Sequence, residues 1–165
     1  MNSFPYYKSM LIFSFTALLF GCFEGEPQKA MLKQAMAIES ADECHLCGMI
    51  ISNFPGPKGE LYQKNVQDVV KFCSTRDLFA YLLQPENKRQ IEQVFVHDMR
   101  KTPWHKTEDQ YFIDAKNAWF VVGSSKTGAM GKTLASFSLQ TDALAFSKEF
   151  GGEVYPFDKI TIDLL

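Results

Sequence analysis

Beyond residue 58 the chain alternates short runs of period-two hydrophobicity with stretches of helical spacing. Leu61, Val66, Val69 and Val70 mark two strands over 59–64 and 68–72, with a turn at Asn65 between them. A helix is predicted over 76–83, with Thr75 as its N-cap and Pro85 as its stop. Residues 91–97 (IEQVFVH) form another strand, and 98–112, with Pro103, Trp104 and His105, are polar and irregular. AWFVVG over 118–123 is a buried strand, and 134–137 is a further one. Residues 141–150 form an amphipathic helix with Leu144, Ala145 and Phe146 facing inward, closed by Gly151-Gly152. A last strand covers 154–157.

Two of these stretches resemble each other. Phe72, Asp77, Ala80 and Tyr81 align with Phe137, Asp142, Ala145 and Phe146 at a constant offset of 65, each set at a strand-to-helix junction. The simplest architecture is α+β, with two ββαβ-type units related by internal duplication. The halves span approximately 41–97 and 113–165 of a single domain over 41–165. Fifteen Phe and six Tyr supply apolar volume for its core, so neither a bridge nor a metal is required to hold it together.

The beginning of the chain follows other rules. Residues 10–20 read MLIFSFTALLF, too short for a stable membrane-spanning helix, after a polar start that carries Lys8. That is the layout of a secretory signal peptide over 1–21. The run ends in Leu19-Phe20-Gly21-Cys22, which resembles a bacterial lipobox and marks Cys22 for acylation. An uncleaved anchor, or an ordinary signal with Cys22 incidental, is the alternative. Two or three acyl chains give stable attachment, whereas one chain alone is marginal. Residues 22–40 are then the lipidated Cys and a polar tether, partly helical over 30–38. The domain is placed in the periplasm, lipid-anchored to a membrane. A net charge of −2, with no basic run longer than Arg100-Lys101, leaves no footprint for nucleic acid.

Candidate chemistry concentrates at Cys44-His-Leu-Cys47-Gly-Met49. A CxxC turn can aim two sulfurs at one atom, Gly48 permits a sharp turn, and Met49 adds a thioether. His45 is a further candidate, in place of Cys44. Thiolate and thioether together favour copper(I). A structural zinc wants four closed ligands, and no second pair is visible along the chain. Met130, in the glycine-flanked loop Gly128-Ala-Met-Gly131, belongs to no periodic apolar face and suits a ligand brought in from a distance. Met99, His97 and Asp98 are less specific, and Met31 and Met36 lie in the tether. Cys73 reads as a buried, inert thiol. Two other readings of the CxxC stay open. One is an extracytoplasmic thiol–disulfide protein using Cys44 and Cys47. The other is a scaffold with an inert bridge between them.

With these motifs in place the chain resembles the NosL family of nitrous-oxide-reductase accessory lipoproteins. The resemblance rests on the lipobox at Cys22, on Cys44-x-x-Cys47-Gly48-Met49, and on Val96-His-Asp98 with Trp104 following. It continues through Asp114 to Gly123, Ala129-Met130-Gly131 to Phe137, and Ala145-Phe146 leading to Gly151-Gly152-Glu-Val154. It implies a non-enzymatic copper(I) carrier for assembly of the copper centres of nitrous oxide reductase. The implied partners are that reductase and a membrane ABC-transporter maturation complex. The family's ligands map most directly onto Cys47 and Met49, with Met130 in its second motif and Cys44 less directly.

Overall fold

The computed structural model describes residues 33–165. The signal run, Cys22 and Met31 lie outside the described residues. No helix among the described residues is long and apolar enough to cross a membrane.

The first sheet contains β1 (Gly59–Gln63), β2 (Val69–Phe72), β3 (Ile91–His97) and β4 (Phe112–Asp114), all antiparallel in the order β2-β1-β3-β4. The β1–β2 connection turns at Asn65 with φ of 63°, a left-handed conformation that Asn tolerates better than most residues. Between β2 and β3 lie α1 (Thr75–Leu82) and a single turn, α2 (Pro85–Lys88). Pro85 thus ends one helix and opens the next, as its missing N–H allows at a first helical position. The second sheet has β5 (Trp119–Val122) at its centre. After it come a small hairpin, β6 (Thr127–Gly128) with β7 (Gly131–Lys132), then β8 (Ala135–Phe137), α3 (Gln140–Phe150) and β9 (Glu153–Pro156). Its order is β8-β5-β9.

The fold is α+β with antiparallel sheets. β1-β2-α1-β3 and β5-β8-α3-β9 share one connectivity and one strand order. Their helices begin at Thr75 and Gln140, which keeps the offset of the aligned residues. β4 and the β6–β7 hairpin are additions that the sequence pattern does not announce.

Helix α1 lays Leu78, Phe79 and Leu82 against Leu61, Phe72, Val94 and Val96 of the first sheet. The approach is close: a Cβ on Gly59 would lie 2.6 Å from a Leu78 methyl carbon, so this strand position accepts only glycine. Phe79 meets Phe120 edge-on at 5.0 Å, which carries the core across to the second sheet. A smaller core gathers Met99, Val121, Ala135, Phe137 and Ala143, with Trp104 and Phe146 at its edge. The sheets are joined where β3 ends: the Ser136 hydroxyl donates to the His97 carbonyl at 2.6 Å, and the Met99 amide donates to the Ser136 carbonyl at 2.8 Å.

Three local expectations are corrected. The N-cap of α1 is Ser74, not Thr75, because the Ser74 hydroxyl accepts the Asp77 amide. On α3 the inner face carries Ala143 and Phe146, whereas Leu144 and Ala145 are exposed. Ala143 and Phe146 are three residues apart on one face, and Leu144 falls about 100° around from Ala143. Residues 33–38 form no helix. They run along the sheet face opposite α1, where alternate β1 residues Glu60 and Tyr62 point. Glu60 accepts the Met36 amide at 2.9 Å, Asp109 accepts the Ile38 amide at 2.8 Å, and the Tyr62 hydroxyl donates to the Gln34 carbonyl at 2.9 Å. The Lys71 ammonium donates to the Ala37 carbonyl at 2.6 Å and pairs with Asp42 at 2.5 Å. This strap leads directly into the cysteine loop.

Candidate metal centre

The cysteine loop is a tight turn closed by its own backbone. The Cys44 amide donates to the Met49 carbonyl at 2.9 Å, the Gly48 amide donates to the Cys44 carbonyl at 2.8 Å, and Glu43 bridges Ile50. Gly48 sits at φ of 72°, where any side chain would be strained. The His45 amide donates to the Lys71 carbonyl at 2.9 Å and so fixes the loop to β2. Residues 51–53 then form a 3-10 turn.

The end of β2 brings the other half of the site. Cys73 follows the last strand residue, and Ser74 caps the helix on which Asp77 stands in the first turn. Asp77 accepts a hydrogen bond from the Cys73 thiol at 3.0 Å and a longer one from Cys44 at 3.7 Å. The sulfurs of Cys47 and Cys73 are 3.5 Å apart. One donor atom each from Cys44, Cys47, Cys73 and Asp77 lies within 4.8 Å of every other. Cys44 and Cys73 are buried, and Cys47 is half-buried and forms the accessible edge.

Proton affinities within the cluster diverge. Hydrogen bonding with Cys73 draws the Cys44 thiol down to about 5, against the opposing effect of burial. The same interaction pushes Cys73 far up, with burial and the Asp77 carboxylate adding to it. Burial raises Cys47 as well. Cys73 therefore keeps its proton and shares it in a hydrogen bond to Asp77, while Cys44 is the most acidic of the three sulfurs. The Lys58 ammonium is buried nearby, and desolvation lowers it to about 8. Its Nζ donates to the Phe54 and Pro55 carbonyls at 2.6 and 3.1 Å.

The fold brings Cys44 and Cys47 together, as their spacing suggests. It also corrects the reading of Cys73, which is buried but stands among the donors instead of apart from them. From the sequence Asp77 stands out only as a repeat position. Zinc is not excluded by a missing second pair, because Cys73 and Asp77 supply two more donors from across the fold. Met49 is half-buried against the first core. Met130 is 53% exposed at the tip of the β6–β7 hairpin. That hairpin is rooted beside the site, because the Thr133 and Thr75 hydroxyls are hydrogen-bonded at 3.0 Å and Thr75 lies between Cys73 and Asp77. His45 turns away to pack edge-on against Tyr81 at 5.1 Å. His97 is buried, accepting the Lys58 amide at 3.1 Å and facing Asp109 at 3.2 Å. Asp98 accepts the Ser138 hydroxyl at 2.7 Å, and Met99 belongs to the second core.

The NosL family model matches residues 35–165. The chain belongs to the NosL family. A copper-binding lipoprotein NosL from Stutzerimonas stutzeri is 46% identical over 147 residues, covering 89% of this chain and 76% of its own length. One from Achromobacter cycloclastes is 33% identical over 157 residues, covering 93% of this chain and 80% of its own. The crystal structure of the copper chaperone NosL from Shewanella denitrificans superposes with a TM-score of 0.79 at 59% identity, over 80% of this chain and 98% of that one. The solution structure of apo-NosL from Achromobacter cycloclastes gives a TM-score of 0.51 at 31% identity, over 65% of this chain and 87% of that one. These NosL relatives are named for binding or carrying copper, not for catalysis.

Proposed function

We propose that this NosL protein carries copper(I) as cargo, held by Cys44, Cys47 and Cys73 with Met49 and Met130 as thioether donors. The observation that carries the proposal is the convergence of three sulfurs and a carboxylate within 4.8 Å, in a chain whose relatives are named for copper. Three thiolates and a carboxylate alone also suit zinc. Thioethers shift the preference, because a neutral, soft sulfur favours copper(I) and adds little for zinc. The half-buried Cys47 and the exposed Met130 leave one edge of the site open. An incoming sulfur or imidazole from a partner enters there before the donor ligands leave, so copper passes between proteins without release.

The cargo is delivered for assembly of the copper centres of nitrous oxide reductase. The partners are that reductase and the membrane ABC-transporter complex that matures it. Acylation of Cys22 holds the carrier on the membrane, with the domain facing the periplasm, and raises its effective concentration near them. The common strand order of the two halves supports their origin by duplication.

Anaerobic copper(I) titration of the reduced protein against a chromophoric chelator tests the cargo, with zinc as competitor. Tight one-to-one copper binding, lost in Cys47→Ser and weakened in Met130→Leu, is expected. Zinc binding that displaces copper would transfer the site to zinc, and no binding of either metal would favour thiol–disulfide exchange. Metal transfer from the loaded protein to copper-depleted reductase tests the destination.

A further inference from the structure

We infer that Trp104 is the positioning residue for Met130: its indole N–H holds the β6–β7 hairpin against the cysteine site, so that the thioether at the hairpin tip reaches the metal. The inference rests on Met130 being a ligand.

The hairpin is too small to define its own position. Only two residue pairs join its strands, Thr127 with Lys132 and Gly128 with Gly131, and a two-stranded ribbon of that size is not stable alone in water. Its place must come from anchors outside it. One is the Thr133–Thr75 bond just past β7, at the helix start that carries Cys73 and Asp77. Another is Trp104, whose indole nitrogen donates to the Thr127 carbonyl at 3.0 Å on the opposite strand. Ala129 at the tip also packs against the first core, and the Trp104 bond adds the restraint on β6 that this contact and the Thr133 bond do not supply.

Trp104 is itself tied to the site's surroundings. The Gly56 amide donates to the Trp104 carbonyl at 2.7 Å, and a Cβ on Gly56 would lie 3.3 Å from the indole ring and 3.6 Å from the Gly128 Cα. Loop 54–58, the indole and the hairpin therefore border one small space, which a side chain at position 56 would fill. The same loop gives its Pro57 carbonyl to the Thr75 amide at 3.2 Å. Trp104 thus closes a ring of contacts that begins and ends at Thr75. On its outer side the indole stacks on Phe146 at 5.7 Å and 21° and carries Lys126 over its face at 5.9 Å. The ring is held by packing, and the N–H is the part that reaches the hairpin.

A side chain that only stabilises the fold affects metal binding equally whatever stands at position 130. A positioning residue acts through that side chain and has no effect once it is gone. Copper(I) affinity is therefore measured for the full protein, Trp104→Phe, Met130→Leu and the double variant, each with its melting temperature. Trp104→Phe is expected to weaken binding about three- to tenfold, the scale of one lost hydrogen bond. In the Met130→Leu background it is expected to do nothing. Equal weakening in both backgrounds, or none in either, would overturn the inference while leaving Met130 as a ligand. An unchanged affinity in Met130→Leu alone would remove Met130 from the site and the inference with it. Should Trp104→Phe fold poorly, benzothienylalanine at position 104 keeps the ring's shape and removes only the N–H, with the same expected pattern. Faster amide exchange at residues 128–132 in either variant is the accompanying signature.

Discussion

At the residue scale the site depends on an inequality among three chemically identical thiols. Cys44 is the acidic one and Cys73 the reluctant one, and Asp77 accepts the hydrogen bond of the protonated Cys73. Asp77→Asn keeps the shape and removes the negative charge. Copper(I) affinity is expected to fall about 10–100-fold, the usual cost of losing a supporting group at a metal site. Cys73→Ser is expected to cost more, and chelator competition on the two variants side by side ranks them. A Cys73→Ser protein that binds as tightly as the parent would return Cys73 to the inert core. The sequence displayed Cys44 and Cys47 because their pairing is local, written in a four-residue spacing. It hid Cys73 and Asp77 because their approach depends on the His45 amide pinning the loop to β2, a contact across 26 residues of chain.

At the scale of elements, the start of α1 positions the chemistry. The Ser74 hydroxyl accepts the Asp77 amide at 3.1 Å, so one bond both caps the helix and fixes the residue that orients two thiols. Ser74→Ala is expected to lower unfolding free energy by about 1 kcal/mol, read from a denaturant midpoint. Binding should weaken with it, since the Asp77 backbone loses its restraint. Most elements were legible from hydrophobic period: β3 was delimited at both ends, and α3 was found to within a residue. The inner face of α3 was misassigned because Leu144 is the more hydrophobic choice, yet Ala143 is the residue whose small side chain fits against Val121 and Phe137. β4 and the β6–β7 hairpin escaped because strands of two or three residues are too short for a period to show.

For the whole molecule the strap over 33–42 sets a pH dependence. Burial pushes Glu60 up to about 7. Its unfolded value is about 4.3, so the folded state holds the proton more tightly. That contribution is fully present at low pH and is lost as pH rises through 7. From pH 6 to 8 the parent is expected to lose roughly 1 kcal/mol relative to Glu60→Gln, measured by denaturant unfolding at each pH. His97 works in the opposite direction, because burial lowers it and acid therefore erodes stability below its unfolded value. Both proteins share that effect, so it cancels in the difference. Parallel pH profiles for the two proteins would show that Glu60 is not the titrating group.

The strap also decides where a pull is borne. In a chain held at its amino-terminal end, tension enters at residue 33 and meets a row of fasteners before it reaches Cys44. Gln34, Met36, Ala37 and Asp42 are each tied to the sheet, and Ile38 to the Asp109 turn that precedes β4. These bonds share the load as stitches do along a seam, and the four-stranded sheet is the fabric behind them. The cysteine loop sits beyond the last stitch. A pull from that end is passed first to β1, β2 and the Asp109 turn, ahead of the loop that carries Cys44 and Cys47.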